Sequence, residues 1–424
     1  MSTLETHAGY TPEAPHRSIS VPIHATSAYA YSSHGELRDV FARQREGFAY
    51  SRSGNPTTAV LERRVAALEG GIAGIAVASG QAAVAVTLLA LLAPGTHLVA
   101  SDRLYGGTIE FFDDTLADVG VSWTGVNAWD LDAVEAAFTE KTRVLLVESI
   151  TNPGAHLVDL DALTDIAHRN GAVVVVDNTV ASPALYRPGE HGADFVVHSA
   201  TKYLAGHGTT IAGVIVDTGR FDPRRCPERW SRLVEPNRRF GVCFSDEYEH
   251  GGSGALSYAR AKYVTDLGVT LPAQSASQVL LGIDTLSLRM DRISASSAYL
   301  AQALATRPEV LRVHHPHIGD RPDASLAQRD FPRGLSGVFS FDLAGDAKAV
   351  EKFLDSLRLI TLAVNIGDAR TLAVHPASTT HCHLSRAQRE SCGVNENTIR
   401  LSIGLEDVTD LEQDLTQALV QSQR

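Results

Sequence analysis

The sequence predicts an α/β protein, a mostly parallel seven-stranded sheet followed by a smaller α+β domain, and three observations carry that prediction. From Gly71 to about Asp217, short apolar runs alternate with helical patterns, as in a sheet covered by helices on both faces. One run, Ala172 to Val176, ends in four consecutive valines and is terminated by Asp177, which suits a strand buried on both sides. The last third of the chain mixes alternating and helical patterns without repeating that unit.

Residues 1–56 carry Pro12, Pro15 and Pro22, scattered aromatics and little periodicity, and they read as an extended arm. The arm closes on Tyr50-Ser-Arg-Ser-Gly-Asn-Pro56, which could present Tyr50 and Arg52 to a phosphate; an ordinary loop leading into a helix near Thr57 is the alternative. Residues 57–264 form the large domain, with candidate strands at 72–78, 97–100, 121–126, 143–148, 172–176, 194–198 and 211–216. Helical patterns lie between them at Ala82 to Leu92, Thr108 to Gly120, Leu131 to Ala137 and Leu160 to Asn170. The end of this domain, 218–264, reads as a loop-rich connection around Gly251-Gly-Ser-Gly254.

Residues 265–424 form the C-terminal domain. It opens with one helical segment from Ala273 to Leu304, stopped by Pro308, and continues with a half-buried strand from Gly337 to Leu343. A helix from Ala347 to Leu359, a strand from Ile399 to Ile403 and a closing helix from Val408 to Val420 follow. His314-His-Pro-His317 reads as a loop or strand entry, because adjacent histidines do not share a face, and no metal site is expected.

Composition narrows the class of function. With 37 basic residues against 49 acidic ones the net charge is −12, which disfavours nucleic acid and anionic membranes as partners. The four cysteines form no Cys-x-x-Cys pair, and a reducing intracellular compartment is the simpler expectation. The first residues lack the basic and apolar regions of a signal peptide, and the longest apolar run, Ala82 to Ala93, is too short for a bilayer. A cytoplasmic protein is therefore expected.

The chemistry centres on Asp194 to Gly208. Lys202 follows the apolar run Phe195-Val-Val and neighbours small hydroxyl residues. A lysine against an apolar wall loses its proton more readily, and a neutral amine is what a Schiff base with an aldehyde cofactor requires. A solvated surface charge is the alternative. Upstream, Asp177 at a strand's carboxyl end needs a positive partner if it is ionised. A protonated pyridine nitrogen supplies one, so the two residues suggest a clamp for pyridoxal 5'-phosphate; a helix or turn cap is the alternative. Ser79-Gly80-Gln81 stands between a strand and an apolar helix, where backbone amides and the helix dipole suit a phosphate. Arg400, flanked by Ile399 and Leu401, suits a substrate carboxylate or a solvated strand face.

Together these segments resemble the Cys/Met-metabolism family of pyridoxal-phosphate enzymes. The resemblance rests on Tyr50-Ser-Arg-Ser-Gly-Asn-Pro-Thr57, Ala78-Ser-Gly-Gln-Ala-Ala83, Leu104-Tyr-Gly-Gly-Thr108, Val176-Asp-Asn-Thr179 and His198-Ser-Ala-Thr-Lys-Tyr203. It extends to His375-Pro-Ala-Ser-Thr-Thr-His381 and Arg400-Leu-Ser-Ile-Gly-Leu-Glu-Asp407. It implies the aspartate-aminotransferase-like fold, fold type I, in a homotetramer of two catalytic dimers. It implies that Lys202 carries the cofactor covalently, Asp177 meets its ring nitrogen and Tyr105 stacks on the ring and assists catalysis. By the same resemblance Ser79, Gly80, Gln81, Thr179, Ser199 and Thr201 complete the cofactor site, joined by Tyr50 and Arg52 of a neighbouring subunit. Asn152, Asn365 and Arg400 would take the substrate carboxylate.

Within the family, Ala363-Val-Asn-Ile-Gly-Asp-Ala-Arg-Thr-Leu372 is similar to the O-acetylhomoserine sulfhydrylase branch. That branch implies γ-replacement on an activated homoserine with sulfide or a thiol as nucleophile. Two departures leave γ-elimination, or an unusual nucleophile in specialised metabolism, open. Val180 stands where the family commonly has an aromatic residue, and Ser51-Arg-Ser-Gly-Asn55 is more similar to the γ-synthase and γ-lyase branches.

Overall fold

The computed structural model describes residues 1–14, 16–319 and 321–424; Pro15, one of the prolines of the expected arm, lies outside them. Two helices form within that arm, α1 (Ser2–His7) and α2 (His34–Phe41). α3 (Pro56–Glu69) begins the body, and its limits follow from its sequence. Asn55 caps it by accepting from Thr57 N at 2.9 Å, Pro56 occupies the first turn, and Gly70 ends it at φ +73°.

The large sheet is built in chain order from β1 (Ala73–Val77), α4 (Gly80–Leu91), β2 (His97–Ser101), α5 (Gly106–Phe111), β3 (Ser122–Val126), α6 (Leu131–Ala136) and β4 (Thr142–Glu148). It continues with α7 (Leu160–Arg169), β5 (Val173–Asp177), α8 (Ser182–Leu185), β6 (Phe195–His198) and β7 (Gly213–Asp217). The strand order is β1-β7-β6-β5-β4-β2-β3, parallel except that β7 runs against both of its neighbours. All seven expected strands are present within a residue or two of their anticipated limits. The apolar runs of the inner strands are buried because helices cover both faces, whereas edge strand β3 buries only Val126. The helix expected at Thr108 already starts at Gly106 and passes into one π turn, Phe112–Leu116.

The connection at 218–264 departs from expectation. It holds α9 (Ser231–Val234) and α10 (Gly254–Ala259), and α10 runs on through a π turn, Arg260–Val264, into α11 (Thr265–Leu267). Ser253 caps α10 and also donates to the buried carboxylate of Asp217, so the expected loop is fixed to the end of β7.

The segment expected as one helix from Ala273 to Leu304 is two, α12 (Ala273–Ile283) and α13 (Leu286–Ala305). The break is held from outside. Buried Glu5 of α1 accepts from Ser287 N at 3.0 Å and from its hydroxyl at 2.7 Å, satisfying the first turn of α13. The remaining elements are β8 (Val310–His314), α14 (Ala324–Asp330), β9 (Val338–Leu343), α15 (Ala347–Ser356), β10 (Thr361–Leu362), β11 (Leu372–Val374), α16 (Arg386–Ser391), β12 (Thr398–Ser402) and α17 (Val408–Ser422). The second sheet has the order β10-β11-β12-β9-β8. His314 ends β8 and meets Asp342 of antiparallel β9 at 3.0 Å. An acidic partner that the local sequence does not reveal thus arrives through strand pairing.

Candidate active site

The carboxyl ends of the parallel strands and one face of the second sheet enclose a cavity of about 480 Å³. Twelve of the fourteen residues anticipated for a site line it: Ser79, Gly80, Gln81, Tyr105, Asn152, Asp177, Thr179, Ser199, Thr201, Lys202, Asn365 and Arg400. Tyr50 and Arg52 are not among its lining residues. They are exposed in this chain, with the Arg52 guanidinium 5.6 Å from the Tyr50 ring.

At one end of the cavity, Ser79 caps α4 by accepting from Ala82 N at 3.0 Å. Gly80 and Gln81, which line the cavity, have no bond to their amides among the described residues, and the positive end of the helix dipole lies behind them. Gly80 makes this possible, because a Cβ there would come within 2.7 Å of Ser199 Cα and Oγ. Ser199 and Thr201 form the opposite rim. Ser199 N donates to Thr179 Oγ1 at 2.7 Å, and the Thr201 hydroxyl is tied to the backbone of Ala212.

Asp177 occupies the floor at the end of β5. Its Oδ1 accepts from Thr179 N at 2.9 Å, and burial pushes its carboxyl above the usual range. Beside it in the strand register stands Glu148 of β4, raised by burial and by the neighbouring Asp177 charge. Buried Glu148 and part-buried Asp177 meet here, and neither forms a salt bridge among the described residues. His198, next along β6, is bound to the buried Glu69 of α3 at 2.7 Å.

Lys202 enters from the turn after β6. Its Nζ donates to Asn365 Oδ1 at 2.6 Å, and its pKa is lowered to about 8 by burial and then by the Arg400 charge. Arg400 lies mid-strand in β12, 2% exposed. It donates to Asn365 O at 2.8 Å and to Asn152 Oδ1 at 3.4 Å, while its Nε has no partner among the described residues. A guanidinium so buried and without a carboxylate is a receptor for an anion. Tyr105, 43% exposed, sits at the cavity edge, and Gly107 makes room for its ring, since a Cβ there would lie 2.8 Å from ring carbon Cε1.

Sequence reasoning passed over Glu148, Thr380 and the apolar wall of Val84, Ile150, Ile211, Val364 and Ile366. For Glu148 a signal existed: it closes the apolar run Val144-Leu-Leu-Val147 as Asp177 closes its own. Val180, noted as a departure, also lines the cavity.

This donor set fits an aromatic aldehyde phosphate with a basic ring nitrogen. Free amides at the start of α4 suit the phosphate, the uncompensated carboxylates at the floor suit a ring cation, and a partly neutral lysine suits the aldehyde.

Comparison with known proteins agrees with the geometry. The family model of the Cys/Met metabolism PLP-dependent enzymes matches residues 2–420. The sulfhydrylase FUB7 of Fusarium oxysporum f. sp. lycopersici is 42% identical over 418 residues, covering 98% of this chain and 96% of that protein. The O-acetyl-L-homoserine sulfhydrylase of Leptospira meyeri is 38% identical over 98% of this chain and 96% of its own. An L-methionine gamma-lyase of Pseudomonas putida is also 38% identical, over 99% and 96%. A crystal structure from Campylobacter jejuni subsp. jejuni, with N'-pyridoxyl-lysine-5'-monophosphate in the chain, superposes with a TM-score of 0.92 at 33% identity and covers 99% of each chain. The architecture is fold type I, the cofactor is pyridoxal 5'-phosphate, and the chain belongs to the Cys/Met metabolism family of PLP-dependent enzymes.

Proposed function

We propose that the protein catalyses γ-replacement on an activated homoserine, of the O-acetylhomoserine type, with sulfide or a small thiol as nucleophile. The observation that carries an amino-acid substrate is Arg400, a buried guanidinium with no carboxylate partner among the described residues, facing the same cavity as Lys202. The relative named O-acetyl-L-homoserine sulfhydrylase supports the choice of reaction.

Bound pyridoxal phosphate supplies an electron sink that makes the substrate's Cα proton acidic. Lys202 would hold the cofactor, Asp177 would pair with its ring nitrogen, Tyr105 would pack against its ring, and Ser79, Gly80, Gln81, Thr179, Ser199 and Thr201 would hold its phosphate side. Arg400 takes the substrate carboxylate, with the side-chain oxygen of Asn152 and the backbone carbonyl of Asn365 fixing its plane. Once free, Lys202 moves a proton at Cα and then at Cβ, for which an amine with a pKa near 8 is suited. Tyr105 stands where it can assist departure of the acyloxy group. The Cγ–O bond breaks with the acylate leaving, and a Cγ–S bond forms with the thiolate. Tyr50 and Arg52 reach the phosphate of a neighbouring subunit within a cytoplasmic tetramer of two dimers, which accords with their exposure in the single chain.

A second reading, γ-elimination to a 2-oxo acid and ammonia, is favoured by the similarity to an L-methionine gamma-lyase. Purified protein loaded with cofactor is incubated with O-acetyl-, O-succinyl- or O-phosphohomoserine, with and without sulfide or methanethiol. A thioether or homocysteine product by mass supports replacement. Formation of 2-oxobutyrate and ammonia regardless of thiol would replace that reading with the second.

A further inference from the structure

The carboxylate that ends β4 is bound to two loops at once. Glu148 Oε1 accepts from the backbone N of Tyr105 at 2.6 Å, and Oε2 accepts from the backbone N of Asn152 at 3.1 Å. Tyr105 lies between β2 and α5, and Asn152 lies in the connection that follows β4. Glu148 is 6% exposed and lines the cavity beside Asp177. A buried carboxylate next to another is unfavourable. Nothing in the strand requires it, since the four residues before it are apolar and fully buried. What it provides is a pair of acceptors placed so that each oxygen meets a different loop.

We propose that Glu148 is a positioning residue that holds both walls of the active site in register. Through Tyr105 N it fixes the loop whose ring faces the cofactor space. Through Asn152 N it fixes the side-chain amide that meets Arg400. Neither loop carries another bond to that carboxylate, so the spacing between the two walls is set by the width of one carboxyl group. The effect on the substrate side rests on the function proposed above; the effect on the cofactor side does not.

Two experiments test it. In the unmodified protein, site-resolved hydrogen exchange should find the Tyr105 and Asn152 amides at least about tenfold slower than unbonded amides of the same loops. In Glu148→Gln the volume is kept, but the new NH₂ group faces one of the two amides, so at most one loop stays held. Loss of a charge-assisted bond should then raise at least one of the two, the cofactor Kd if the Tyr105 loop is released or the KM for the amino-acid substrate if the Asn152 loop is, by about tenfold. The turnover number per bound cofactor should change less. Fast exchange at both amides, or a Glu148→Gln protein with unaltered Kd and KM, overturns the proposal. If neither protein turns over an activated homoserine, the proposed function fails, and the exchange rates and the cofactor titration still decide the role of Glu148.

Discussion

At the scale of single residues, the behaviour of Lys202 is the most exposed to test. Its amine is lowered from the ordinary lysine value of 10.5 to about 8, first by burial and then by Arg400. Cofactor capture by the cofactor-free protein should therefore quicken with rising pH through a midpoint near 8, as followed by visible absorbance. The same shift has a stability counterpart. The folded state releases this proton at lower pH than the unfolded chain, so unfolding takes up a proton between about 8 and 10.5. Cofactor-free protein should gain stability as pH rises across that window, by denaturant titration, and Lys202→Ala should lack that gain. Lys202→Ala should also lose the visible absorption of the bound cofactor together with turnover; a variant retaining full activity would remove the lysine from the mechanism.

Much of the site was legible from residues because its chemistry depends on unusual neighbours: a lysine against valines, and an aspartate ending a run of them. Glu148 bears the same mark, closing Val144-Leu-Leu-Val147, but its role lies in register and went unread. Only pairing β4 with β5 sets it beside Asp177. Tyr50 and Arg52 were noticed through motif alone, and one chain gives them no place in the cavity.

At the scale of elements, the start of α4 and the turn holding Ser199 are packed so closely that Gly80 has no space for a side chain. Gly80→Ala should force the two apart and weaken cofactor binding by about tenfold or more while β1 and α4 still form, a split that equilibrium titration and circular dichroism can resolve. The sheet could be read from the sequence because strands buried on both faces leave continuous apolar runs. The break between α12 and α13 could not. Asp284-Thr285 contains neither glycine nor proline, and the group that satisfies the new helix start comes from Glu5 at the far end of the chain. Local pattern carries no trace of such a contact. The helical part of 254–267 was hidden for a related reason: its cap, Ser253, sits in a glycine-rich stretch that reads as loop.

At the scale of the whole molecule, the N-terminal segment has one duty within its own chain and, in the proposed assembly, a second. Its first turn docks on the body through Glu5, so Glu5→Ala should lower stability by about 1 kcal/mol in denaturant unfolding, with little effect on KM. Its last residues, Tyr50 and Arg52, serve a second chain if the proposed assembly is right. Coexpression of Arg52→Ala with Lys202→Ala, each weakly active or inactive alone, should then yield mixed oligomers with partly restored activity. Activity no greater than the sum of the two separate proteins would place both residues outside a shared site.

One more consequence follows from where Arg400 sits. The guanidinium belongs to the second sheet and the reactive amine to the first, and Asn365 touches both, through its side-chain oxygen on one side and its carbonyl on the other. An acid seated on that arginine would thus be tied through Asn365 to the residue that supplies the amine, so the binding of one charge bears directly on the setting of the other.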